Sequence, residues 1–120
     1  MIDRYAVQWR QATYRLNRGT WSCWPQARLI AVPDETPPLH LVTNEMQFLA
    51  FSIQHGCVVD SALSEHDQCV ACSVDLESRG YTVWTAAQAL AYVGSAPETE
   101  TASHLVACLT QWFFLEKLPT

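Results

Sequence analysis

Apolar side chains recur at the helical interval at the start of the chain. Ile2, Tyr5, Ala6, Trp9, Ala12 and Leu16 fall on one side, while Arg4, Gln8, Gln11, Arg15 and Arg18 fall on the other. The spacing predicts an amphipathic helix. Gly19 supplies its stop, and Arg15 and Arg18 in the last turn complement the negative end of the helix dipole.

The pattern then changes. Residues 27–32 (ARLIAV) form an apolar run rich in β-branched residues with a proline on either side, which predicts a short strand; the three prolines of residues 33–38 predict an exposed loop. A second strand is expected at 39–42. Thr43 and Asn44 are helix-cap residues, and Gln47 follows Asn44 by three, so a helix runs from Met46 to Gly56; it is apolar nearly all round and is expected at the centre of the fold. Residues 57–60 are short enough for a buried strand. Ser64 opens a further helix that Arg79 and Gly80 close, although the alternation within residues 70–76 also admits a strand. Residues 81–84 read as a strand, Thr85 and Gln88 form a capping box for a helix ending at Gly94, and Ser95 with Glu98 forms a second box opening a long helix to about Lys117.

These elements predict an α+β fold, helix-dominated with about five helices and a small sheet of short strands, in a single domain over residues 1–120; an all-α bundle is the alternative. Composition agrees. Of 120 residues, 49% are hydrophobic and 16% charged, far from the polar composition of disordered chains. No apolar run is long enough for a membrane span, and the first residues lack the basic-then-apolar order of a secretory signal. Five cysteines, an odd number at irregular spacing, argue against a disulfide framework. A cytoplasmic location is the expectation.

Net charge is −5, unevenly spread. Residues 1–28 carry five arginines against Asp3, whereas residues 29–120 carry two basic and eleven acidic groups. The basic face, Arg4, Arg15 and Arg18, is expected to lie against the acidic body or a neighbouring subunit; it is too small a phosphate-neutralising surface to predict nucleic-acid binding.

Candidate chemistry is sparse. His55, Cys57, His66, Cys69 and Cys72 place five potential zinc ligands within eighteen residues, but a strong zinc signature has two well-spaced pairs, and here the first is only His-x-Cys. Buried thiols are the preferred reading and no metal or cofactor is expected, with zinc binding the alternative. There is no Gly-x-Ser-x-Gly elbow and no phosphate-binding loop, so an enzyme would rest on Cys57 with one of the histidines.

Five tryptophans say more. Trp9 and Trp112 fit helical stripes. Trp21 and Trp24 flank a proline turn where both rings are hard to bury, and Phe114 and Leu115 fall outside the stripe of the last helix. The sequence therefore predicts a non-catalytic binding protein that recognises a protein or apolar small molecule through Trp21, Trp24, Trp112, Phe114 and Leu115. A homo-oligomer, a dimer, is expected to cover the terminal patch, with neither nucleic acid nor membrane as a partner.

Overall fold

The element order in a computed structural model of the chain is β1 (Ala6–Trp9), β2 (Ala12–Leu16), β3 (Arg28–Ala31), β4 (His40–Val42), α1 (Glu45–Gln54), α2 (Glu65–Ser78), β5 (Thr82–Trp84), α3 (Ala86–Ser95), α4 (Glu100–Gln111) and β6 (Leu115–Lys117). The structure describes residues 5–17, 19, 25–35, 39–112 and 115–119. Among them lie four helices and two three-stranded sheets, ordered β1-β2-β6 and β4-β3-β5. The fold is α+β, and two sheets leave no room for the all-α alternative.

The expected first helix is a hairpin instead. Val7, Trp9, Thr13 and Tyr14 are weak helix formers that fit a pleated surface, and Ala12, Tyr14 and Leu16 turn inward at period two between exposed Thr13 and Arg15. β1 pairs antiparallel with β2 from Ala6↔Arg15 to Trp9↔Ala12. Arg10 and Gln11 make the turn with φ of 47° and 68°, the left-handed pair that a two-residue hairpin loop demands. Neither is Gly, Asn or Asp, so the usual turn signal is missing. β2 also pairs with β6, Arg15 opposite Glu116 and Leu16 opposite Leu115, and this contact between the two ends of the sequence secures the strand.

Clustering of contacts divides the chain into two compact units, Met1–Trp24 with Trp84–Thr120, and Pro25–Val83. In the first, α3 touches β1 and α4, and α4 touches β6. Its buried side chains include Leu16, Leu90, Val93, Leu105, Leu109 and Leu115. Thr85 and Gln88 form the expected capping box on α3. The next box does not form: Thr99 caps α4 by accepting from the Ala102 N–H, and α4 ends at Gln111, so residues 115–117 are strand where helix was expected.

In the second unit, Ile30, Val42, Phe48, Phe51, Cys57, Cys72 and Leu76 form one core between sheet and helices. Leu76 is fully buried, and truncating such a residue to alanine costs about 2–5 kcal/mol. The helix reading of residues 65–78 holds, with Ser64 accepting from the Asp67 N–H. Residues 57–60 are irregular rather than strand.

Candidate functional site

The chemistry-bearing residues of Pro25–Val83 sit at the two ends of a parallel helix pair. Glu45, at the start of α1, meets His66 and Cys69 at the start of α2, while His55, just beyond α1, meets Arg79, just beyond α2. Residues 55–64 carry the chain back between them. Two separate groups of side chains result.

At the far end, the Cys57 thiol donates to Asp75 Oδ2 at 3.1 Å, and Arg79 Nη2 lies 2.9 Å from the same oxygen and 3.4 Å from Cys57 Sγ. Arg79 Nη1 donates to the His55 carbonyl at 2.8 Å, satisfying a helix-end acceptor. His55 Nδ1 donates to the Phe51 carbonyl at 2.9 Å and its ring stacks on Phe51, with Tyr81 edge-on. Burial, then the hydrogen bond to Asp75, pushes the Cys57 thiol up to about 12. The hydrogen bonds from Cys57 and Arg79 hold the Asp75 carboxyl below its usual range, and Asp75 in turn raises Arg79. A thiol kept protonated is a hydrogen-bond donor, not a nucleophile, at neutral pH. The group ties the residues after α1 to the end of α2.

At the near end lies a cleft of about 80 Å³ lined by Arg28, Glu45, Phe48, His66, Cys69 and Val70, among others. Glu45 accepts from Gln26 Nε2 at 3.3 Å and pairs with His66 Nδ1 at 3.0 Å. Burial, then the charge of Glu45, raises the Cys69 thiol to about 11. Pockets for drug-sized ligands measure about 300–1,000 Å³, so this cleft admits one side chain rather than such a ligand.

The five residues of the alternative zinc set are therefore divided. Cys57 and Cys72 are buried in the core, His55 and Cys57 belong to the far end, and His66 and Cys69 to the near end. Among the described residues no three His, Cys, Asp or Glu side chains converge on a metal position. Of the aromatic set, Trp21, Trp24 and Phe114 lie outside the described residues, as do Arg4 and Arg18 of the basic face. Trp112 caps α4 and is 38% exposed, but Leu115 is buried in β6 at 4%, because the strand absorbs the surplus expected at the terminus. Arg15 points outward from β2 and pairs with Glu116 at 3.1 Å.

The surface not foreseen is on the helix pair. Of the large apolar side chains exposed among the described residues, Trp112 belongs to the other unit; Met46, Ile53, Val58, Leu63, Val70 and Val74 all fall between residues 46 and 74. α1 is not central as expected, since Met46 is 71% exposed; its all-round apolar character was the visible signal, read as burial. On α2, Val70 and Val74 are 50% and 64% exposed one turn apart, with Ala71 beside them.

Comparison with known protein families, curated proteins and solved structures finds no match. No described helix is long and apolar enough to cross a membrane.

Proposed function

We propose that this chain is a non-catalytic interaction protein whose partner docks on the apolar side chains that α1 and α2 turn to solvent. The observation that carries this reading is their concentration: Met46 and Ile53 on α1 and Val70 and Val74 on α2 are exposed on the side away from the buried residues of each helix, and exposed Val58 and Leu63 lie in the connection between the two helices. The electrostatics favour binding over catalysis, because the thiols of Cys57 and Cys69 are both held protonated by their surroundings. A protein partner fits better than a small apolar ligand, since the near-end cleft holds about 80 Å³.

Site-specific photocrosslinking in cells tests the reading. A photoreactive residue at Val70 or Met46 is expected to give a discrete adduct that the same residue at exposed Thr13 does not give. No adduct, or the same distribution from all three positions, would overturn it.

A further inference from the structure

The partner's chemistry follows from what borders the apolar stripe on α2. Val70, Ala71 and Val74 lie on one side of the helix, and Asp67 and Glu77 project from the same side at either end. Both acids are exposed, and neither is in an ion pair among the described residues. Asp67 suits the positive end of the helix dipole. Glu77 does not: it sits in the last turn, where no basic residue offsets it and the dipole disfavours an anion. The nearby cation, Arg79, is engaged by Asp75 and the His55 carbonyl. The helix dipole gives Glu77 no support at this position, whereas a cation brought from outside would neutralise it.

The surroundings agree in sign. Between residues 25 and 83, Arg28 and Arg79 are the only lysines or arginines, against eight Asp and Glu. A symmetric contact of this face with the same face of a second copy would set its acids against one another, so the face calls for a partner surface of opposite charge. Val70 also lines the near-end cleft with Phe48, so an apolar side chain lying along the stripe has a recess beside it.

Resting on the proposed interaction role, the geometry points to a basic amphipathic segment of a partner protein: its apolar side chains pack on Val70, Ala71 and Val74, one enters the cleft, and its lysines or arginines reach Asp67 and Glu77. The probes are three amphipathic helical peptides of identical leucine pattern whose polar positions are all lysine, all glutamine or all glutamate, titrated by fluorescence anisotropy into the full chain at low and moderate salt. The leucine–lysine peptide is expected to bind and the leucine–glutamate peptide not to. Two variants separate apolar docking from bulk attraction. Val70→Asp with Val74→Asp adds negative charge, so mere electrostatic attraction would tighten binding of the lysine peptide, whereas docking on the stripe is lost by at least about tenfold. Asp67→Asn and Glu77→Gln together are expected to weaken binding by about tenfold and to flatten its salt dependence. All four positions are exposed, and circular dichroism checks that the fold is kept.

Unchanged or tighter binding by the aspartate variant overturns the proposal. If the leucine–glutamine peptide binds as tightly as the lysine peptide and loses its binding in the aspartate variant, the basic partner is wrong while the interaction role stands. If no peptide binds, the proposal falls, and the crosslinking at Val70 and Met46 decides the interaction role on its own.

Discussion

Cys57 and Asp75 share a hydrogen bond in which the thiol is the donor, 3.1 Å from sulfur to Oδ2, and the carboxylate that accepts it also holds Arg79. Sulfur in this position is a structural proton carrier, and its behaviour with pH has a definite sign. The folded thiol titrates near 12, above an ordinary thiol near 9. Its contribution to stability is complete below the unfolded value and disappears as the pH rises from about 9 towards 12. Urea midpoints measured at intervals from pH 7 to 11 are expected to fall over that window in the wild type. In Cys57→Ala, less stable at pH 7, the fall should be shallower. The thiol should also label with iodoacetamide far more slowly than a free cysteine at pH 8; rapid labelling in the native state would contradict the buried, protonated assignment.

Asp75 has the opposite sign. Its carboxyl is held below the usual range by the thiol and by Arg79, so its contribution is present at neutral pH and is lost as the pH falls through the range below about 4. Asp75→Asn removes that acid sensitivity and leaves Cys57 without its anionic acceptor. The expected signature is a lower midpoint at pH 7 and a smaller difference between pH 7 and pH 3.5 than the wild type shows.

Arg79 joins three features at once: the Asp75 carboxylate, the His55 carbonyl at the end of α1, and the Tyr81 ring, whose centroid is 5.4 Å from the guanidinium carbon. The ion pair is half-exposed and contributes little by itself. The hydrogen bond to the carbonyl satisfies a helix-end acceptor. Arg79→Ala is therefore expected to lower the urea midpoint modestly, with Arg79→Lys intermediate, because an ammonium cannot reach both acceptors in the planar geometry of the guanidinium. Equal losses in the two variants would mean that the forked geometry is irrelevant.

The turn of the first hairpin stores strain that one substitution should release. Gln11 has φ of 68°, where a side chain is unfavourable, while the neighbouring Arg10 is held by Trp9 beneath its guanidinium and by Ser103 Oγ at 2.9 Å. Gln11→Gly is expected to stabilise the protein by about 1 kcal/mol, read as a raised midpoint of thermal unfolding. Destabilisation would mean that residue 11 does not occupy the left-handed region.

How far the fold was legible in the sequence follows from which forces act locally. The caps of α1, α2 and α3, and the stops at Gly56 and Gly80, could be read directly, because a cap is a contact between residues three or four apart and each of these glycines takes a positive φ. The hairpin at residues 6–16 was misread because the same apolar positions fit both periods, its turn carries no Gly, Asn or Asp, and its register is fixed by Leu115 and Glu116 a hundred residues away. The spacing of Ser95 and Glu98 matches a capping box, but Thr99 captures the cap. Trp21 and Trp24 lie outside the described residues, and the exposed apolar residues of α1 and α2 are the plainer Met46, Ile53, Val70 and Val74, which no motif marks. A helix apolar on every side does not declare which side the chain itself will cover.

Gly94 shows the difference between a stop and a close approach. Unlike Gly56 and Gly80 it has no positive φ, and α3 continues through it to Ser95; its function is to leave space, since a Cβ built there would come within 2.7 Å of Val7 Cγ2 on β1. Two opposing effects set the outcome of Gly94→Ala. Alanine in place of glycine within a helix gains about 1 kcal/mol, whereas forcing a methyl group into a packed contact costs about 1–3 kcal/mol. The clash should win, giving net destabilisation. Val7→Ala removes the colliding methyl group, so the same change in that background is expected to become neutral or stabilising, a coupling of about 1 kcal/mol or more across the double-mutant cycle. Additive effects would place Gly94 away from the hairpin, and the packing of α3 against β1 would have to be redrawn.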